Sequence, residues 1–316
     1  MIVAFIYLIL GFALLLIGAD WLVKGAASLA KRFNVPQIVI GLTIVAFGTS
    51  APELLVNIFS SIKGASDIAF GNVIGSNNFN ALIILGVSTL IYPLHFNKNS
   101  VTKEIPFILF ISVFLFFLVN DRIFSTKAPD VLSRGDGIIL LLIFALFIAY
   151  TFYLSKKSPV SPQEIKEYKI LASIGFVLLG LGGLIWGGKI VVTQAISIAQ
   201  KFGISEKIIA LTIVAAGTSL PELATSAVAA FKKHSDIAVG NILGSNIFNL
   251  LLILGVSSTI RPAVYRTAFN KDFMLMTLGT VLIFVFLFTS RKNKLDRWEG
   301  GVLLLLYVAY AVFLLK

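Results

Sequence analysis

The stretch that decides the fold is Ala46–Asn80, AFGTSAPELLVNIFSSIKGASDIAFGNVIGSNNFN, because it occurs twice. Ala215–Asn249 reads AAGTSLPELATSAVAAFKKHSDIAVGNILGSNIFN and aligns with it without a gap. About half of the aligned positions are identical, the mark of an internal duplication. Each copy sets one glutamate, Glu53 or Glu222, in a long apolar segment. A carboxylate there costs at least about 2.5–3.5 kcal/mol on insertion scales, so each is a functional residue by default. Two of them at equivalent places in two repeats predict one site shared between the halves.

Composition sets the environment. Of 316 residues, 58% are hydrophobic and 13% charged, where a soluble domain has about a quarter charged. Apolar runs of about twenty residues recur from end to end, which predicts an all-α polytopic membrane protein. The absence of cysteine excludes disulfides and thiolate metal sites. Two histidines, His95 and His234, are too few for a histidine metal centre or proton relay. The net charge of +11 does not point to nucleic acid, because Lys and Arg sit in short loops between apolar runs, a topology signal. The N-terminus, MIVAFIYLILGFALLLIG, lacks the basic start of a secretory signal peptide and reads as a retained first helix. No nucleophile–base arrangement or phosphate-binding loop supports an enzyme, and no cofactor is called for.

The runs give about ten helices, five in residues 1–155 and five in residues 170–316. Residues 156–169, the most polar stretch, form the linker. The first helix, Ile2 to about Ala30, is longer than a bilayer requires and should tilt. Asp20 and Lys24, one turn apart, can pair. The second helix runs from about Val35 to Ile62, and its duplicate from Ile204 to about Phe231. An odd number of helices per half makes the repeats enter the membrane in opposite senses, an inverted-topology pair. Odd-numbered loops carry more Lys and Arg than even-numbered ones. The positive-inside rule then places the linker in the cytoplasm and both termini outside a plasma or inner membrane.

In GTSAPE, Thr49 and Glu53 are four apart and share a helix face with Ala46, and Ser50 lies beside them. Pro52 cannot donate a hydrogen bond and clashes with the Gly48 carbonyl, so the helix should kink and free carbonyls near Ala46–Gly48. Irregular backbone at membrane depth is tolerated only where it is buried or lines a cavity. Ala215, Thr218, Ser219 and Glu222, with Pro221, repeat the set. Ser76 and Asn80, and Ser245 and Asn249, offer matching faces on the following helices. Gly71 with Gly75, and Gly240 with Gly244, form small-residue ridges for close helix approach. Carboxylate, hydroxyl, amide and carbonyl oxygens without nitrogen or sulfur suit hard cations. Two carboxylates balance one calcium, and are met equally by two or three sodium ions or by two protons. Bare charges cross the bilayer poorly, which favours an exchanger over a leak.

GTSAPE with GNVIGSNNFN, and GTSLPE with GNILGSNIFN, resemble the paired alpha repeats of the sodium/calcium exchangers in the calcium/cation antiporter superfamily. The resemblance covers nearly the whole chain. It implies cation positions at mid-membrane where one calcium competes with about three sodium ions. It implies ligands at Ala46, Thr49, Ser50, Glu53, Ser76 and Asn80, and at Ala215, Thr218, Ser219, Glu222, Ser245 and Asn249. It also implies that the first and sixth helices slide as a gate. Potassium-dependent relatives often carry aspartate at the last motif position. Asn249 stands here, which argues against potassium co-transport. Proton-coupled calcium exchangers usually have an acidic residue near the third-helix motif, which Asn80 does not match.

The rival readings are a proton-coupled calcium antiporter and, from another class, a passive cation channel. A channel predicts acidic residues ringed by several subunits, whereas two complete repeats predict a carrier complete in one chain. Asn72, Asn241, Asn77 and Asn246 read as interhelical hydrogen-bonding residues. Asp67 and Asp236 read as helix N-caps, Lys189 as a snorkelling residue, His95 and His234 as solvated loop residues, and the Phe stripes of the fourth and ninth helices as lipid-facing.

Overall fold

The computed structural model describes residues 2–123, 129–155, 166–202, 215–289 and 293–315. Most of the predicted linker, residues 156–165, and the start of the seventh predicted helix, residues 203–214, lie outside the described residues. The first half runs α1 (Ile2–Arg32), α2 (Gln37–Thr49), α3 (Ala51–Lys63), α4 (Ser66–Ile91), α5 (Ser100–Val119) and α6 (Arg134–Ser155). The second half runs α7 (Ile170–Lys201), a helical turn at Ala215–Gly217, α8 (Leu220–Phe231), α9 (Ser235–Ile260), α10 (Thr267–Phe286) and α11 (Arg297–Leu315). Among the described residues, seven helices are long and apolar enough to cross a membrane, or eight with the bent pair α2–α3 counted as one span.

The long helices α1 and α7 lie antiparallel along each other, and glycine spacing explains their closeness. Gly11, Gly18 and Gly25 recur every seventh residue on one face of α1. A Cβ at Gly18 would stand 2.8 Å from the Gly180 carbonyl, one at Gly187 2.9 Å from the Gly11 carbonyl, and one at Gly25 2.7 Å from the Ser173 carbonyl. Without water to expel, helices in lipid associate through such close packing and through interhelical hydrogen bonds. The Ser28 and Ser173 hydroxyls supply one at 2.8 Å.

Two short antiparallel pairings tie the repeats together and reveal their symmetry. Strand β1 (Leu94–His95), in the loop between α4 and α5, pairs with β4 (Lys294–Leu295), between α10 and α11. Strand β2 (Val131–Leu132), between α5 and α6, pairs with β3 (Ala263–Val264), between α9 and α10. The third loop of each repeat therefore meets the fourth loop of the other. Those loops share a face only if one repeat is inverted, as the odd helix count predicts. Other contacts agree. Arg32 pairs with Glu167 at 3.6 Å on the face of the odd loops, and Asp67 with Arg266 at 3.0 Å on the face of the even loops.

Some expectations need correction. Asp67 makes that ion pair, and α4 starts without a side-chain cap. The half-buried His234 is not a solvated loop residue: burial and the charge of Lys232 hold its imidazole below the usual value. The phenylalanines divide. Phe110, Phe117 and Phe288 face outward, whereas Phe273 and Phe286 are buried. Phe273 packs edge-on against Phe116, with centroids 5.5 Å apart. Asp20 and Lys24 pair at 2.6 Å as expected, and Asp20 also binds Lys232 at the end of α8. Lys189 is exposed.

Candidate ion-binding site

Both GTS-x-PE motifs break their helix in the same way. Between α2 and α3 the chain bends by 49°. Ser50 at the break has φ −83° and ψ 5°, and Ser219, before α8, has φ −88° and ψ 6°. This sparsely allowed bridge conformation ends one helix and starts the next. Pro52 and Pro221 follow in the first turn of α3 and α8, where a missing N–H costs nothing. The kink expected at each proline is thus delivered one or two residues earlier, at the serine.

The broken turns aim their side chains across the repeat boundary. Neither Ser50 nor Ser219 caps its own helix. Ser50 Oγ donates to Glu222 Oε1 at 2.9 Å, and Ser219 Oγ donates to Glu53 Oε1 at 3.1 Å. Ser219 Oγ also lies 3.1 Å from Ser76 Oγ. Each glutamate is thus held by the other repeat, and both are buried at 1% exposure. Among the described residues neither forms an ion pair.

The following helices complete the shell. Asn80 Nδ2 donates to Asn246 Oδ1 at 3.1 Å, and Asn249 Nδ2 donates to Asn77 Oδ1 at 3.2 Å. Asn80 and Asn249 lie at the start of π-helical turns, Phe79–Ile84 in α4 and Phe248–Ile253 in α9. Such widened turns recur at functional sites because they expose groups that an α-helix would use internally. The interhelical role expected for Asn77 and Asn246 is observed.

Asn72 and Asn241 do more than join helices. Thr49 Oγ1 donates to Asn241 Oδ1 at 3.0 Å, while Asn241 Nδ2 donates to Ser226 Oγ at 2.9 Å and to the Glu222 carbonyl at 3.3 Å. The mirror set has Thr218 Oγ1 to Asn72 Oδ1 at 3.4 Å, and Asn72 Nδ2 to Asn57 Oδ1 at 2.7 Å and to the Glu53 carbonyl at 3.5 Å. Asn57 and Ser226 escaped the sequence reading. Their signal was there: each follows its glutamate by one helical turn.

The decisive feature is what these bonds leave over. Glu53 Oε2, Glu222 Oε2, Asn80 Oδ1, Asn249 Oδ1 and Ser245 Oγ are buried with no hydrogen-bond partner among the described residues. Buried polar atoms are ordinarily satisfied, so orphans that gather on two duplicated motifs mark a place for a ligand. All five are oxygens. No group of three or more His, Cys, Asp and Glu exists among the described residues, so beyond two carboxylates the donors here are neutral oxygens, the chemistry of a hard cation. The Ala46 carbonyl is not among the orphans. It accepts the Ser50 N–H at 3.0 Å, with the Thr49 hydroxyl oxygen 3.3 Å away, so the bend leaves it engaged rather than freed. Of Ala215, only the backbone turn is described.

Packing fixes the shell in place. A Cβ at Gly240 would stand 2.9 Å from the Gly41 Cα, and one at Gly244 would stand 2.7 Å from the Ala46 Cβ, so α9 lies directly on α2. Among the described residues, a Cβ at Gly75 would meet nothing within 4 Å.

The family model for the sodium/calcium exchanger protein matches residues 3–153 and 172–316. The chain belongs to the sodium/calcium exchanger family. It is a membrane antiporter, not an enzyme. It is 33% identical over 348 residues to the sodium/calcium exchanger MaX1 of Methanosarcina acetivorans, covering 99% of this chain and 98% of that one. It is 34% identical over 314 residues to the inner membrane protein YrbG of Escherichia coli, covering 96% and 94%. Among solved structures it resembles the sodium-calcium exchanger NCX_Mj soaked with 10 mM Na+ and 10 mM Sr2+, with TM-score 0.83, 33% identity and coverage of 98% and 97%. The exchanger therefore has the all-α, inverted-repeat architecture read from its motifs.

Proposed function

We propose that this exchanger moves calcium against sodium by alternating access, through a site built on Glu53 and Glu222. The observation that carries this reading is the pair of buried carboxylates, each held at one oxygen by the opposite repeat and left with the other oxygen unpartnered. In this reading Glu53 and Glu222 supply the charge. Asn80, Asn249, Ser76 and Ser245 close the site from α4 and α9. Thr49, Ser50, Thr218 and Ser219, with the backbone of Ala46 and Ala215, form the remaining wall. Pro52 and Pro221 maintain the breaks.

The energetics follow from the charges. Two bare carboxylates in a dry interior are costly. One calcium or two to three sodium ions neutralise them, so the loaded carrier changes sides and the empty one resists. Exchange results from that difference. Asn249 adds no third carboxylate, which supports sodium coupling without potassium. The two repeats then act as units 1–155 and 170–316, with the linker 156–169 on the cytoplasmic side and both termini outside.

The test is radioactive calcium uptake into sodium-loaded proteoliposomes, with the sodium gradient and the external pH varied separately and potassium present or absent. Uptake that needs the sodium gradient and ignores potassium is expected. Uptake driven by a proton gradient without sodium would move the protein to proton coupling. Because the chain has no cysteine, a single one introduced in the linker reports orientation: it should react with impermeant thiol reagents only from the cytoplasmic side.

A further inference from the structure

Outside the duplicated motifs, the first repeat buries an acid that the transport site does not use. Glu104 is 2% exposed, and its Oε2 has no hydrogen-bond partner among the described residues. Its Oε1 lies 3.5 Å from the Tyr150 hydroxyl, a long contact. Both residues line a cavity of about 330 Å³ between α5 and α6, together with Lys103, Phe107, Ile143, Leu146 and Phe147. The equivalent of Glu104 in the second repeat is Phe273, so the duplication did not place this acid.

We propose that this cavity binds a membrane aminophospholipid of the phosphatidylethanolamine class, with its ammonium on Glu104, its phosphate toward Lys103 and an acyl chain along the apolar wall. Three observations lead to that occupant. The cavity opens onto the lipid-facing surface: Leu146 on its rim is 70% exposed, so entry is from the bilayer rather than from water.

The lining is also graded with depth. Glu104 lies about 6 Å along α5 from its start at Ser100. Tyr150 is equally near the end of the antiparallel α6. Phe107, Phe147 and Ile143 follow toward the membrane centre. Polar groups at the headgroup level above an apolar slot match a lipid molecule. Phe107 and Phe147 stack with centroids 5.6 Å apart and form the wall of the slot.

Charge and donor chemistry then choose the headgroup. Lys103 is exposed at the mouth, its Nζ 5.6 Å from the Tyr150 ring centroid, where it can meet a phosphate. The orphan Glu104 oxygen needs a donor, and a primary ammonium offers N–H groups to a carboxylate. A choline headgroup has none, and a glycerol headgroup carries no positive charge.

Native mass spectrometry of the detergent-solubilised full chain, offered equal phosphatidylethanolamine and phosphatidylcholine of the same acyl composition, tests the site. The wild type should retain the ethanolamine lipid several-fold over the choline lipid. Glu104→Gln should bring the ratio to one. Leu146→Trp, a change on the lipid-exposed rim that leaves the buried acid in place, should fill the slot and remove the retained lipid. Equal retention of the two lipids by the wild type would overturn the proposal, and so would a preference that survives Leu146→Trp. Because the readout is bound lipid, the result stands apart from whether the exchanger couples calcium to sodium.

Discussion

Replacing Asn241 by alanine tests whether the site is held from behind by its asparagines. The substitution removes three hydrogen bonds: Thr49 to Oδ1 at 3.0 Å, and Nδ2 to Ser226 at 2.9 Å and to the Glu222 carbonyl at 3.3 Å. Side-chain hydrogen bonds between membrane helices average about 0.6 kcal/mol each, so the sum is about 2 kcal/mol. If that order is spent on orienting Thr49 and the Glu222 turn, calcium affinity should fall by about thirty-fold. The mirror substitution Asn72→Ala removes one good bond, to Asn57 at 2.7 Å, and two marginal ones at 3.4 and 3.5 Å. It should cost about 1 kcal/mol, near five-fold. Calcium titration of both purified variants by calorimetry, with their thermal midpoints measured alongside, reads the two effects separately. Equal losses, or a lower midpoint for Asn241→Ala with affinity within two-fold of wild type, would refute the positioning role and leave Asn241 as ordinary interhelical packing.

Glu53→Gln or Glu222→Gln should each abolish calcium exchange while the thermal unfolding profile stays close to wild type, because the glutamine Oε1 still accepts the serine hydroxyl from the other repeat. Wild-type calcium uptake in either variant would sink the site assignment. Gly18→Leu should lower the thermal midpoint by several degrees, since its Cβ meets the Gly180 carbonyl at 2.8 Å, and overpacking costs about 1–3 kcal/mol. Gly175→Leu in the same pair of helices, with nothing within 4 Å among the described residues, serves as its control. Burial and nearby Lys232 hold the His234 imidazole below its ordinary value of about 6.5. Below that pH the unfolded chain takes up a proton that the folded chain refuses, so stability should decline as pH falls toward the folded value. His234→Gln should flatten that decline in thermal scans across the range.

The candidate site is legible in the sequence because duplication repeats a local rule. A proline two residues after a serine breaks a helix in each copy, and a glutamate one residue later is left in apolar surroundings. Those relations lie within a few residues and need no knowledge of the fold. The same holds for the inverted topology, which follows from an odd count of apolar runs. What escaped were relations between distant parts of the chain. The pairings of Leu94–His95 with Lys294–Leu295 and of Val131–Leu132 with Ala263–Val264 are two residues long and leave no alternating pattern to read. The seven-residue glycine spacing of α1 was visible in the sequence, but its meaning needed the facing glycines of α7. Glu104 closes a polar stretch of sequence, residues 94–104, that shows no helical apolar pattern. In the structure Asn97 Oδ1 accepts the Ser100 N–H at 2.9 Å and starts α5 there, which carries Glu104 into the helix and away from water.

The places where the repeats differ separate the candidate ion site from its surroundings. At the site the copies match almost atom for atom: serine to the opposite glutamate, asparagine behind threonine, asparagine pairs on widened turns. An inverted-repeat carrier that presents one site alternately to two sides gains from that equivalence, because each repeat takes the role of the other. At the periphery the equivalence ends. Asp20 binds Lys232, but the corresponding residues in the other copy are Lys189 and Lys63, two like charges that cannot form that pair. Glu104 faces a lipid-side cavity, but its counterpart is Phe273. If the proposed site holds the ion, its chemistry asks the same oxygens of both halves, whereas the two membrane leaflets and the two aqueous sides make different demands. Symmetry therefore holds at the carboxylates and fails at the faces that each leaflet touches.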